Sequence, residues 1–368
     1  MTSTVEQPAP ARPAAHAPYP VSEAARSLHA HSIVADSHND LLMLCAHRDP
    51  AEQAGYFRDV WLPQLRAGGV NVQVLPVFID DEFRPEGALR QTLRMIETAW
   101  RVAEACPDAI RLCRTGDDIH AALADDTIAA VLALEGCEAV GTDVGLFDTL
   151  YRLGVRMASF THLGRTMLAD GSAEDATGGR LTSAGVAAVA ACEALGIVLD
   201  VSHLGAAGTD HLLELATRPV VASHSSAFAV RPHHRNLTDD RLRAIAEGGG
   251  VIGINLLAMF IDEDEHTVAR AVDHIEHAVS VAGAAHVGLG PDFIRAVSDG
   301  LARADDVACE GHVSRQYIAG LEGPAGLPLI TEELLRRGWP DTQVQQVLGL
   351  NFHRLLVDQL GVPGGAAR

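Results

Sequence analysis

Seven residues in this sequence could act together on a bound cation and on the bond it polarises: His38 and Asp40 in SHNDLL, Glu135 in ALEG, His162 in FTHLGR, His203 in DVSHLG, His224 in ASHSSA and Asp292 in GLGPDF. Imidazole and carboxylate together suit zinc or a similar divalent ion. The stretch from Gly196 to Ala227 carries the argument furthest. It holds two apolar runs, each ending in Ser-His and separated by a helical pattern. That is the signature of a strand–helix–strand unit, with His203 and His224 at equivalent strand ends. A single His there is ordinarily structural; two on neighbouring strands point to a shared ligand. His38 and Asp40, spaced i and i+2, leave their strand end on one side. Two imidazoles, a His-x-Asp pair and a glutamate make two sets of ligands, which one carboxylate must bridge. The chain has no lysine, so a carboxylated lysine is excluded and Glu135 is the candidate bridge. Two ions about 3.5–4 Å apart activate a water and polarise the bond it attacks, which is metal-assisted hydrolysis.

Each residue also has a plainer reading when taken singly. His38-x-Asp40 is compatible with an Asn-Asp turn and a solvated His. Glu135 and Asp292 could be acids favoured at a helix N-terminus or in a turn. Asp200, inside its strand, reads as a hydrogen-bonding support for the ligands.

The elements that must position these groups are short β-branched runs alternating with amphipathic helical patterns. Strands are expected at Ser32–His38, Asn71–Phe78, Ala129–Leu134, Val155–Phe160, Gly196–Val201, Pro219–Ser223, Gly250–Phe260 and His286–Gly290. Helices are expected at Ser22–His31, Ala51–Ala67, Gly87–Ala105, Thr115–Ala124, Val144–Leu153, Thr182–Leu195, Thr238–Glu247 and Glu265–Ala282, with three more from Thr331 to Leu360. Eight right-handed crossovers close into an α/β fold of the (β/α)8 TIM-barrel type, whose carboxyl-end rim carries the site. A doubly wound open sheet is the alternative, weakened by the lack of G-x-G-x-x-G after the first strand. A Pro- and Ala-rich start, residues 1–20, reads as a disordered arm ahead of one domain over residues 21–368.

The 368 residues are 48% hydrophobic, enough for one large core, and the net charge of −20 argues against nucleic acid as a partner. Six scattered cysteines read as reduced core thiols. With no run long enough to span a membrane and no signal peptide, the expectation is a soluble, cytoplasmic protein.

In the order and spacing of these motifs, from about residue 30 onward, the sequence resembles the renal (membrane) dipeptidase family of binuclear zinc peptidases. RPHHRNLTDD around Arg235 and the late TEELLRRGW…VLGLNFHRLL extend the likeness. The resemblance implies that His38 and Asp40 hold one zinc, His203 and His224 the other, and that Glu135 bridges. It gives His162 the binding of substrate and the steadying of the oxyanion, and Arg235 the clamping of a dipeptide's terminal carboxylate. Asp292 would bind substrate and carry a proton from the water to the leaving amine. The implied activity is zinc-dependent hydrolysis of L-Xaa-Xaa dipeptides, extending to L-Xaa-D-Xaa, through a metal-bridging hydroxide. A homodimer is also implied. With no disulfide framework or lipid anchor, the likeness is to a bacterial cytoplasmic-type member.

Several positions depart from the family's usual pattern. Pro291 and Ile294 flank Asp292 where Ser and Asp are usual, Leu163 follows His162, and Thr166 stands where Asn is commoner. These changes spare the ligands and fall on the substrate pocket, for which the loops Asp80–Glu86, Leu163–Arg180 and Ile294–Ile330 are expected. Two rival readings remain at this stage: another binuclear amidohydrolase, such as a lactonase or deaminase, or a metal-binding homologue without turnover. For Arg235 the plainer reading is a surface arginine beside a helix start, and His233 and His234 read as loop residues.

Overall fold

The computed structural model describes residues 20–296, 317–362 and 364. The expected arm, up to residue 19, and Cys309 lie outside them. Nine parallel strands follow in chain order: β1 Val34–Asp36, β2 Val70–Phe78, β3 Ile110–Leu112, β4 Ile128–Glu135, β5 Val155–Ser159, β6 Val198–Asp200, β7 Val221–Ala222, β8 Val251–Ile254 and β9 Val287–Leu289. Eight close into a barrel: β1 pairs with both β2 and β9, and β2 with β4 over seven register positions, Val72↔Ala129 to Phe78↔Glu135. This is the (β/α)8 fold.

β3 is an addition to the expected eight. It pairs with Ile128–Ala130 at the start of β4, while β5 pairs with β4 from Leu132 onward. Only three residues long, and half-exposed at Arg111 and Leu112, the IRL segment lacks the sustained apolar run that marks its neighbours.

Alternation along the strands decides which side chains enter the barrel. Ala129, Val131 and Ala133 of β4 pack with Val72, Val74, Met157, Val198 and Val251 in one apolar cluster; Ala130, Leu132 and Leu134 join the larger cluster shared with the helices. Glu135 continues the first series, so the strand's own period turns it inward. Phe352, from the C-terminal helix Asn351–Gln359, belongs to the interior cluster and closes its floor. Gly288 makes room for it, since a Cβ there would lie 2.5 Å from the ring.

Helix limits follow local chemistry. Ser22 caps Glu23–Ala30 through the Ala25 N–H. Thr115 and Asp118 form a capping box at Gly116–Ala124, and Gly154 and Gly196 end their helices in the left-handed region. The expected helix at Ala51–Ala67 contains a π-turn, Phe57–Trp61, between two α segments, and the late helix at Thr331 starts three residues sooner, at Pro328.

Candidate active site

The strand ends bring the ligating groups to one place. Glu135 Oε1 lies 3.1 Å from His203 Nε2, 3.4 Å from His38 Nε2 and 3.7 Å from His224 Nε2. His203 and His224 point their Nε2 atoms at each other across 2.7 Å, and the His38 and His224 rings stack at 3.7 Å. His38 Nε2 is 3.9 Å from Asp292 Oδ1, and His38, Asp40 and Asp292 form a second group of donors whose atoms lie within 4.8 Å of one another. His162 completes a third group with Glu135 and His203. Glu135 is the last residue of β4, eleven residues ahead of the next helix, so it caps nothing. Asp40 precedes Leu41–Ala46 but makes no capping bond. The solvated-turn reading of His38 fails as well, because the ring is buried.

His224 and the His38 segment are held from behind. Asp200 accepts the Ser202 and Ser223 backbone N–H groups at 2.9 Å, and its other oxygen accepts the Ser223 hydroxyl. With that proton committed, Ser223 Oγ accepts from His224 Nδ1 at 2.7 Å, leaving the Nε2 lone pair for the cluster. Asp36 accepts the His38 N–H and the Asn39 side-chain amide, each at 3.0 Å. His203 and Asp292 adopt φ of 70° and 59°, a left-handed backbone that costs non-glycine residues energy and gathers at functional sites.

Charge is arranged around a cation. Burial works against a proton on His38, yet Glu135, Asp292 and Asp40 outweigh it and raise the imidazole to about 10. Burial, then the charge of Glu135, lifts Asp40 well above the usual carboxylate range, and burial raises Asp292 too. Glu135 stays ionised despite burial because His38 and His203 face it. Burial first, then neighbouring positive charge, keeps His203 and His224 neutral, and burial lowers His162 to about 4. Neutral imidazoles converging on an ionised carboxylate fit a divalent ion. So does His38 Nε2, which is buried without a hydrogen bond of good geometry. Metal-free, the site gathers a proton where the cation would sit.

A model of the membrane dipeptidase family, Peptidase family M19, matches residues 22–309. The chain belongs to this family. A dipeptidase of Clonostachys rogersoniana, verJ, is 30% identical over 73% of this chain and 65% of its own length, so the match spans just under two thirds of that relative. The Aspergillus oryzae dipeptidase aclJ is 30% identical over 82% of this chain and 70% of its own. Among solved structures, a metallopeptidase from Rhodobacter sphaeroides, liganded with a phosphinate mimic of the dipeptide L-Ala-D-Ala, superposes with a TM-score of 0.79 at 26% identity. It covers 89% of this chain and 99% of its own.

Beside this family's metal centre, Arg235 is buried, not a surface residue. It donates from Nη2 to the His224 carbonyl at 3.2 Å and lies 5.5 Å from the Phe260 ring. His233 stacks on His234 and packs on Phe260. His162 is held edge-on by Phe78, with centroids 4.8 Å apart. Asn255 went unnoticed in the sequence: it follows β8 and donates to Asp292 Oδ2 at 2.8 Å. Its signal was available, since β8 was the one barrel strand after β2 with no polar end assigned.

Proposed function

We propose that this chain is a zinc-dependent dipeptidase hydrolysing the single amide of L-Xaa-Xaa dipeptides, L-Xaa-D-Xaa included. His38 and Asp40 would hold one zinc, His203 and His224 a second, and Glu135 would bridge them. The observation that carries this reading is the meeting of three imidazoles from three strand ends, His38, His203 and His224, around one carboxylate oxygen of Glu135 at a fourth. Family membership and the phosphinate-bound Rhodobacter sphaeroides relative support the metal dependence and the dipeptide substrate.

When bound, the ions would polarise the scissile carbonyl and make the attacking water acidic. The remaining work falls to the protein. Arg235, always charged and planar, clamps the substrate's terminal carboxylate, and its fixed distance from the centre restricts the enzyme to dipeptides. His162, kept neutral by burial, donates a hydrogen bond to the oxygen that gains charge in the transition state. Asp292, whose carboxyl holds a proton more readily than usual, takes one from the attacking water and gives it to the departing amine. Asn255 fixes the other oxygen of Asp292 during that transfer.

We place the enzyme in the cytoplasm as a homodimer. The five described cysteines, all buried and unpaired, suit a reducing compartment. No described helix is long and apolar enough to cross a membrane. Elemental analysis together with dipeptide turnover, with and without chelator, tests the core of the proposal. Two zinc per chain and chelator-sensitive hydrolysis are expected; bound metal without hydrolysis of any dipeptide would refute it. Light scattering tests the dimer.

A further inference from the structure

Beyond β2 stands a second, largely covered cation that the chemistry above leaves unused. Arg84 lies on the loop after β2, whose last residue, Phe78, packs on His162. Its guanidinium lies 5.2 Å from the Phe78 ring, whose other contact is His162, and only 18% of its side chain is exposed. Nε donates to the Ile79 carbonyl at 2.9 Å, and Nη1 pairs with Asp81 at 2.9 Å and with Glu138 at 3.4 Å. Nη2 has no hydrogen bond, and neither has Oε2 of Glu138. Glu138 sits three residues beyond Glu135, with its free oxygen against Gly136, so close that a Cβ there would lie 2.4 Å away. The pair is thus built into the strand end that supplies the bridging carboxylate. A largely covered charged pair whose unused hydrogen-bonding atoms are themselves buried is costly unless something completes it.

We propose that Arg84 is a specificity-determining residue, which selects dipeptides with an acidic side chain on their N-terminal residue. This rests on the dipeptidase reading above and deepens it. Arg84 and His162 share the Phe78 ring, at 5.2 Å and 4.8 Å, so the guanidinium stands one aromatic ring away from the catalytic cluster. Arg235, on the loop after β7, takes the terminal carboxylate. The residue on the other side of the scissile bond then extends toward β2 and β4, where Nη2 of Arg84 lies buried without a hydrogen bond. A carboxylate is the group that a guanidinium fork matches best. Glu138 and Asp81 are positioning residues, holding Nη1 and leaving Nη2 without a partner.

The test is steady-state kinetics of the zinc-loaded protein on L-Glu-L-Ala, its isostere L-Gln-L-Ala, L-Lys-L-Ala and L-Ala-L-Ala. Wild type should favour L-Glu-L-Ala over L-Gln-L-Ala by about tenfold or more in kcat/KM, the difference lying in KM. Arg84→Met should bring that ratio near one, and Arg84→Lys should restore part of it. Because Arg84→Met strands Glu138, the double variant Arg84→Met/Glu138→Gln is measured beside it, with thermal melts to verify folding. A wild-type ratio near one, a preference for L-Lys-L-Ala, or a ratio unchanged in Arg84→Met overturns the proposal while L-Ala-L-Ala turnover leaves the dipeptidase reading standing. No turnover of any dipeptide removes both.

Discussion

Asp292 has little freedom: its backbone is held at φ 59°, one oxygen is tied to Asn255, and the other faces His38. If that restraint serves proton transfer, Asp292→Asn should lower kcat by about 10²–10⁴-fold, the range for positioned acid–base catalysis, with zinc content unchanged by elemental analysis. In the proposed mechanism Arg235 acts on binding instead. Arg235→Met should raise KM for dipeptides by about 10–100-fold, the worth of a hydrogen bond to a charged group, and affect dipeptide amides much less. Equal losses on acids and amides would discard the clamp. Asp292 could be read from the sequence because it ends an apolar run, whereas the role of Arg235 came only from the family resemblance. The burial of Arg235 could not be read, since RPHHRN looks like a surface turn until His224 and Phe260 fold over it. Asn255 was missed because an amide after a strand has many ordinary uses.

At the level of strands, the site depends on close approach. A Cβ on Gly290 would lie 1.8 Å from the Ser223 carbonyl oxygen, and one on Gly253 2.1 Å from the same atom. β8 and β9 therefore press on the end of β7, where His224 begins. Gly290→Ala must move backbone, with an expected cost of about 1–3 kcal/mol from overpacking, read as a lower Tm. Zinc retention should fall along with it, because His224 and Asp292 flank the displaced segment. A variant with normal Tm and full zinc would contradict this account. Apolar runs and helix caps made eight strands legible, and period-two alternation explains why Glu135 faces inward. Nothing in IRL announced β3, and no local pattern marks which glycines face a neighbouring carbonyl.

For the whole molecule, protons and metal compete. In the metal-free state His38 titrates at about 10 against an ordinary 6.5. A raised value means the folded form holds a proton that the unfolded chain has lost. The resulting stabilisation is complete below 6.5 and disappears as pH climbs through about 10. Asp40 and Asp292, also raised, act in the same direction, since their ionisation in the fold becomes costly as pH increases. The Tm of chelated protein should therefore fall between roughly pH 7 and pH 9 while the zinc-loaded form resists, so the gap widens. A gap that narrows would mean that His38 carries no proton in the empty site.

The two halves of the centre also have different origins along the chain. His203 and His224 are 21 residues apart, on one strand–helix–strand unit, whereas His38 meets Asp292 only where the first and last strands join, at Asp36↔Leu289. Any breathing of the ring at that joint loosens one half and spares the other. If the centre holds the two ions proposed, stripping by a slow chelator should consequently be biphasic, with the ion nearest His38 departing first and its partner lingering until β6 and β7 themselves come apart.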